Sequence, residues 1–531
     1  MSDPGPNRQK AASDFTCLMV LMTHQTLPRA HLIYLGVACL LWALIPTLFF
    51  PNAPLDVIEG FAWGRELALG YTKHPPMQAW LLEASYWLTG GHTFGGYWLS
   101  AMCLAISYGC LYALGRRLGL SAARTGWGLL LTSVIFYFTL PVPEFNPNIL
   151  QLPVWSAMIL VTHRALDHGK LRDWALLGAL AAIGLLTKYF VILLIGCIGL
   201  YALVFADARR HVLTPGPYIA FAVALLLLSP HLWWIYDTEA MTIRFAGSRS
   251  HGPTSWVDYL LNPLHFLSAQ VGVHTGVFLV LVIGFGKKLA SIKKATVATQ
   301  DAANVSLTNR RFLLWFGFLP LTVSVLCSAF SGNEFEHMWG TPMFVLSGLL
   351  ASTFLPLSGP LYSRKRAFAA VVVIQGVFLG ITLGQAVLEP LWKTKHTRIH
   401  YPGQQIATYL ETEWRTQMQT PLSYVAGDMW ATANITAYAD SRPHMFYLHD
   451  TLLSPWIDLA DVQQKGLMLV WRGDNPQLPN NLADLYPTLQ QQGHHSFASP
   501  GGGKIPPVTV NWAIVPPGDV NMRKREGMPF R

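Results

Sequence analysis

From about residue 31 to residue 389 the chain is a succession of apolar stretches separated by short polar segments. Phe221–Leu228 (FAVALLLL) and Val371–Leu383 (VVVIQGVFLGITL) are typical of them. A helix that crosses ~30 Å of hydrocarbon needs about 20 mostly apolar residues. Lipid offers the backbone no hydrogen-bond partner, so such stretches must satisfy it internally, as helices do. The stretches fall at roughly 31–50, 95–115, 125–141, 147–163, 174–187, 189–206, 217–236, 263–285, 312–330, 338–357 and 367–389. They predict a mostly α fold, a polytopic transmembrane helical bundle of about eleven spans. Only 12% of residues are charged, against about 25% in an ordinary soluble protein.

The net charge of +9 is not a nucleic-acid signal, because the basic residues cluster between apolar runs. One set of loops holds Arg116, Arg117 and Arg124; Arg164, Lys170 and Arg172; Arg209 and Arg210; Lys287, Lys288, Lys293, Lys294, Arg310 and Arg311; and Arg364–Arg366. The other holds only Arg65, Lys73, Lys188, Arg244 and Arg249. The positive-inside rule makes the first set cytoplasmic. A polar tail at 1–30 is then inside, and the first loop, 51–94, is outside. Cys17–Met22 is too short for the apolar core of a signal peptide. All six cysteines lie in or beside apolar segments and lack metal-ligand spacing, so neither disulfides nor thiolate metal sites are expected.

Near residue 391 the composition changes to Gln, Asp, Asn and Pro, and no further span follows. Strand-like runs occur at 422–426, 445–448, 467–471 and 508–515, with a helical stretch at 406–414. These predict a soluble α/β domain over 391–531, outside the membrane, next to a transmembrane domain over 31–390.

The first outer loop carries Asp56 and Glu59, then Arg65 and Glu66, then Lys73-His74-Pro75-Pro76. Charge held between two spans is costly and marks function. Asp56 and Glu59, three apart, share a face if the loop starts as a helix. They either accept a proton from a sugar hydroxyl or cap that helix. His74 and Lys73 either aim at a phosphate or belong to a turn that ends the helix. Lys188 either snorkels to the interface or binds a lipid phosphate. Arg244 and Arg249 are cations on the outer side, against the general trend, and are candidates to meet an anion. Glu144, Asn146 and Asn148 crowd the second outer loop, and Trp233-Trp234 is an interfacial belt or a sugar platform. Histidines 231, 251, 265, 274 and 337 with Glu334 or Glu336 have no metal-site spacing.

The pattern Asp56-x-x-Glu59 followed by Tyr71-x-x-His74-Pro75-Pro76-Met77-x-x-Trp80 resembles the first loop of glycosyltransferases of the protein-mannosyltransferase type (family 39). The related lipid A aminoarabinose transferases share the plan. Phe145-Asn146-x-Asn148, Trp155, Leu186-Thr187-Lys188-Tyr189, Pro230-His231-Leu232-Trp233-Trp234 and Trp339-Gly340-x-Pro342 continue the likeness. Gly427-Asp428-x-Trp430, Arg442-Pro443 and Ser454-Pro455-Trp456 extend it through the tail to bacterial members. Members often have adjacent Asp-Glu in the first loop, where this chain spaces the acids. Lys73-His74 also stands where aminoarabinose transferases have Glu-Lys, which favours the mannosyltransferase-like branch.

The resemblance implies a GT-C fold in a bacterial inner membrane, with the amino terminus cytoplasmic and the carboxy-terminal domain periplasmic. It implies a polyprenyl-phosphate-linked sugar donor and an inverting transfer on the outer face. The acceptor is a glycolipid such as lipid A or lipopolysaccharide, another glycan, or a protein. Asp56 and Glu59 are then the catalytic candidates. His74, Lys73, Lys188, Arg244 and Arg249 would meet the donor phosphate, while Glu144, Asn146, Asn148, Tyr189 and Trp234 would contact substrate. A phosphate leaving group needs cations more than a proton donor, so no cofactor is required, and a divalent metal has no support in the spacing. Beyond substrates, the expected partners are membrane lipids. A flippase of lipid-linked glycans is the alternative, or a non-catalytic assembly protein of the envelope. The one-sided polar residues and the lack of a repeat argue against transport.

Overall fold

The computed structural model describes residues 27–249, 252–291, 305–357, 361–475, 477–489 and 491–521. Most of the amino-terminal tail, His251, Lys293 and Lys294 lie outside the described residues. The apolar part folds into α1 (Arg29–Phe49), α2 (Leu55–Gly64), α3 (Met77–Leu88), α4 (Gly95–Arg117) and α5 (Ala122–Ser133). It continues with α6 (Pro147–His168), α7 (Leu171–Thr187), α8 (Ile192–Val204), α9 (Pro215–Asp237) and α10 (Met241–Ser248). It ends with α11 (Asp258–Gly272), α12 (Thr275–Phe285), α13 (Leu307–Ser331), α14 (Ser347–Phe354) and α15 (Arg364–Val387). This is the multi-pass helical bundle that the apolar runs predict.

The span count differs from eleven. Among the described residues six helices are long and apolar enough to cross a membrane: α1, α4, α6, α9, α13 and α15. A seventh crossing forms if α11 and the helix that follows it count as one span, bent by 47°. The segments expected at 125–141 and 338–357 do not run their full length as helices. Each holds a short helix, α5 and α14, flanked by a 3₁₀ turn. These two pack backbone to backbone at Gly128 and Gly348, where a Cβ on either would collide with the other chain segment. Protein, not lipid, surrounds them, so they need not reach across the bilayer.

The expected first outer loop is largely helical, formed by α2 and α3. α6 is the central helix, buried over most of its length. Its amino end is set by Asn146, whose Oδ1 accepts from the amides of Asn148 and Ile149, with Pro147 at the first helical position. That combination fixes a helix start firmly. At the far end of the bundle the helix termini are tied by ion pairs: Arg117–Asp167 (2.8 Å), Arg311–Asp207 (2.6 Å) and the short Arg164–Asp173 contact.

The tail is an α/β domain with α16 (Gly403–Met418), α17 (Met429–Tyr438) and α18 (Leu459–Lys465) around a five-stranded sheet. Its strands are β1 (Tyr424–Gly427), β2 (His444–Tyr447), β3 (Leu467–Arg472), β4 (Gly493–Phe497) and β5 (Val508–Val515), in the order β2-β1-β3-β5-β4. β2, β1 and β3 are parallel, while β5 and β4 are antiparallel. Each expected run is a strand, and the expected helix is α16. β4, with the sequence GHHSF, is an additional edge strand. α17 serves two cores: Ala431 and Ile435 face the sheet, while Met429, Ala433 and Ala437 join the membrane-domain core. It packs against α2, so the tail sits directly on the first-loop helices.

Candidate active site

Asp56 lies in the first turn of α2, after Pro54. The amides of a helix's first turn have no partner within the helix. Here the amide of Asp56 donates to Glu144 Oε1 at 3.2 Å. Gln78 Nε2, from α3, donates to the carbonyls of both Asp56 (2.8 Å) and Phe145 (3.0 Å). The second loop and the two first-loop helices are thereby stitched together at the backbone of Asp56. Asn146, already the cap of α6, hydrogen-bonds to the Asp56 side chain.

Burial raises the Asp56 carboxyl above the ordinary carboxylate range, opposed by the Asn146 bond and then by the charges of Lys73, Arg398 and Lys188. Burial, and after it the Asp56 charge, pushes Glu144 up to about 7. Two carboxyls in one site resist double ionisation, so this pair holds a proton to a higher pH than free carboxylic acids do. Glu59 is buried at 3% exposure and bonded to Lys73 Nζ at 2.7 Å. Its pKa is raised by burial in spite of that lysine. It positions Lys73 rather than standing free as a second base.

Lys188 sits where α7 breaks before α8, in extended backbone. Its Nζ donates to Asn148 Oδ1 at 2.6 Å and lies 5.9 Å from the centre of the Trp339 ring. No carboxylate pairs with it among the described residues, so its charge is available to an anion. His74 packs against the Trp63 ring, and burial, then Lys188 and Lys73, push it down to about 3. It is neutral at physiological pH and can meet a phosphate only as a hydrogen-bond partner, not as a charge.

Other expected residues fall elsewhere. Arg244 is paired with Glu239 at 3.6 Å and Arg249 with Glu336 at 2.5 Å, both at exposed positions. Neither is among the main charges acting on Asp56, which are Lys73, Arg398 and Lys188. Trp234 is buried under Gly70 and stacks on His231, while Trp233 is exposed. Tyr189 Oη lies 2.9 Å from His231 Nε2, whose Nδ1 bonds the Leu69 carbonyl at 2.6 Å. Tyr189, His231 and Trp234 therefore brace the first loop from behind. The remaining first-loop charges face the tail: Glu66 bonds His444 at 2.8 Å, and Arg65 Nε donates to the Arg442 carbonyl at 3.1 Å.

Two residues escape a reading by sequence. Gln78 is one. Arg398, in the linker to the tail, is the other, and its charge acts on Asp56, Glu59 and Glu144 alike. It is a cation on the side that carries few, the same signal that singles out Arg244 and Arg249. Among the described residues no three His, Cys, Asp or Glu side chains are grouped as metal ligands.

Residues 73–234 match the family described as dolichyl-phosphate-mannose-protein mannosyltransferase. The lipid A galacturonosyltransferase RgtD of Rhizobium johnstonii is 25% identical over 314 residues, which is 58% of this chain and 61% of that protein. The lipopolysaccharide core galacturonosyltransferase RgtA of the same organism is 23% identical over 79% of this chain and 82% of its own length. ArnT of Cupriavidus metallidurans, solved with undecaprenyl phosphate, superposes with a TM-score of 0.57 at 12% identity, covering 91% of this chain and 97% of that one. That match covers most of the chain, and the two galacturonosyltransferases are named for lipid A and for lipopolysaccharide core. Residues 73–234 thus carry the domain of that mannosyltransferase family, and the chain as a whole has the fold of ArnT.

Proposed function

We propose that this protein transfers a sugar from a polyprenyl-phosphate donor to a glycolipid of the bacterial envelope, on the periplasmic side of the inner membrane. The observation that carries this reading is the convergence of Asp56 with Lys73, Lys188 and Arg398 on the first-loop helices. A carboxylate beside cations is what an acceptor hydroxyl and a phosphate leaving group together require. The acceptor oxygen attacks the anomeric carbon from the face opposite the phosphate. Its proton passes to the Asp56 carboxylate. The bond from that carbon to the phosphate oxygen breaks, and its electron pair leaves with the polyprenyl phosphate. One displacement inverts the anomeric centre. Lys188 and Lys73 face the growing phosphate charge, and Glu59 holds Lys73 in place. The basic clusters at the opposite helix ends support a cytoplasmic location for that end and for the amino terminus.

The test is transfer by purified protein, with a synthetic undecaprenyl-phosphate sugar as donor and lipid A as acceptor. Lys188→Met is expected to weaken undecaprenyl phosphate binding by about 10- to 100-fold, the worth of one charge-assisted hydrogen bond. Unchanged affinity in that variant would remove Lys188 from the phosphate site.

The acid side of the pH profile is a second test. Above the raised pKa of the Asp56–Glu144 pair both groups are ionised and Asp56 can take a proton. As pH falls through the raised range of Asp56, its carboxylate takes up a proton and the base is lost. Transfer should therefore start to fall with acid above the range of a free carboxylate. In Glu144→Gln the repulsion on Asp56 is gone, so the limb should move to lower pH. A limb that stays in place would separate Glu144 from the titration.

A further inference from the structure

At the basic end of the bundle, opposite Asp56, two hollows flank the start of α13. One is a groove of about 610 Å³ along the outer face of that helix. Arg310 and Arg311 stand at its head, and Phe354, the last residue of α14, forms part of its far wall. Arg311, Leu314, Phe318 and Thr322 line it at three- and four-residue spacing, which is one stripe of a helix. From Arg311 to Thr322 the stripe runs about 16 Å at ~1.5 Å per residue. That is close to half of the ~30 Å hydrocarbon core, the depth of one leaflet.

The other hollow is a polar cavity of about 280 Å³ between the ends of α4, α6 and α8 and the start of α13. Arg117 and Arg210 line it, with the carboxylates of Asp167 and Asp207. Arg311 of the groove is paired with Asp207 of the cavity, so this ion pair stands where the two hollows meet. The pair is firmly set. Nη2 of Arg311 meets both Asp207 oxygens, at 2.7 and 2.6 Å, and the guanidinium lies 4.2 Å from the centre of the Phe205 ring. Arg311 also hydrogen-bonds to Tyr201. Its Nε is nevertheless buried without a hydrogen-bond partner among the described residues. So is Nδ1 of His163, a buried side chain that lines the cavity. Buried polar groups are nearly always satisfied, so two of them around one cavity call for a ligand or water. The arginines (Arg117, Arg210, Arg310 and Arg311) outnumber the two aspartates, so the ligand that balances them is an anion.

We infer that the groove and the cavity together bind one anionic phospholipid of the leaflet at this end of the bundle, which the proposed topology makes the cytoplasmic one. Its phosphate lies against Arg310 and Arg311, one acyl chain follows the α13 stripe, and its headgroup hydroxyls enter the polar cavity. Basic pockets between membrane helices on the cytoplasmic side take anionic headgroups in this way. A zwitterionic lipid would bring an ammonium group among arginines. A polyprenyl chain is much longer than a groove one leaflet deep, and a free phosphate would leave the groove empty. The inference goes beyond the transferase reading and does not depend on it.

The full chain, stripped of lipid in detergent, would be titrated with phosphatidylglycerol, phosphatidylethanolamine, glycerol phosphate and undecaprenyl phosphate, and bound lipid counted by native mass spectrometry. The wild type should hold one phosphatidylglycerol at a concentration where phosphatidylethanolamine is lost. Arg310→Gln should weaken that binding by about tenfold, the worth of one charge-assisted hydrogen bond. Thr322→Trp fills the groove at mid-depth and leaves every arginine in place, and it should weaken binding by about tenfold or more. Thr322 is exposed, so this variant should melt with the wild type in the absence of lipid, which shows that it is folded. Equal retention of the two phospholipids by the wild type would overturn the inference and leave only ordinary boundary lipid. Phosphatidylglycerol affinity unchanged in both Arg310→Gln and Thr322→Trp would also overturn it. So would glycerol phosphate that competes as well as the whole lipid, or undecaprenyl phosphate that displaces it.

Discussion

Replacing Asp56 by Asn is expected to lower the rate of transfer by about 10²- to 10⁴-fold, the usual contribution of a positioned general base, while undecaprenyl phosphate still binds. The substitution keeps the shape of the side chain and leaves the backbone amide bonded to Glu144. It removes only the ability to take a proton. The other acids are poorer candidates for physical reasons. Glu59 is occupied by Lys73 at 2.7 Å, and Glu144 accepts the amide of Asp56 itself. Glu144→Gln keeps an oxygen for that amide, so its effect should be smaller and should show in the pH profile. Single-turnover transfer with saturating donor separates the outcomes. A rate close to wild type in Asp56→Asn would remove Asp56 as the base and move the role to Glu144. Loss of donor binding together with rate would make Asp56 a structural residue of the first loop.

Much of this arrangement is legible in the sequence because a membrane makes charge conspicuous. Asp56, Glu59 and Lys73 stand out against apolar surroundings, and the structure places them together. The second-loop residues Glu144, Asn146 and Asn148 stand out in the same way. Their detailed parts are not legible: Asn146 caps a helix and also bonds Asp56, and Asn148 receives Lys188. The positive-inside rule flags Arg244 and Arg249 but cannot know that Glu239 and Glu336 lie beside them. The same rule applies to Arg398, which merges with Lys393 and Lys395 into what reads as an ordinary linker. Hydropathy also misjudges the spans. An apolar stretch reports that it is buried, not whether lipid or protein buries it. α5 and α14 are buried by each other at Gly128 and Gly348. β4 escapes because a polar edge strand lacks the alternation of a half-buried one.

The first-loop charges divide between two partners, and that division carries the second large effect. Arg442 lies in the loop between α17 and β2 and reaches into the membrane domain. Its two terminal nitrogens each meet a Glu83 oxygen at 2.9 Å, one of them also meets the Phe61 carbonyl at 3.2 Å, and its guanidinium lies 3.8 Å from the centre of the Tyr86 ring. Both charged side chains are at least nine-tenths buried. The backbone of Arg442 is held at φ 45°, a left-handed conformation that a non-glycine residue adopts only when its surroundings impose it. Removing one member of a buried pair strands the other, at a cost of about 3–5 kcal/mol. Arg442→Ala or Glu83→Ala should therefore loosen the tail from α2 and α3. Arg442→Lys should do so in part, since an ammonium cannot make the paired contact. The double variant Arg442→Met/Glu83→Leu leaves no buried charge and should recover most of the loss. Hydrogen exchange at the α2–α17 contact would report the loosening, and thermal unfolding in detergent its size. Because the linker cation Arg398 belongs to the tail side of this joint, transfer should fall in the single variants while undecaprenyl phosphate binding holds. Equal exchange in Arg442→Ala and the wild type would mean that the apolar contacts of α17 alone dock the domain. Loss of docking without loss of transfer would mean that the membrane domain completes the reaction by itself.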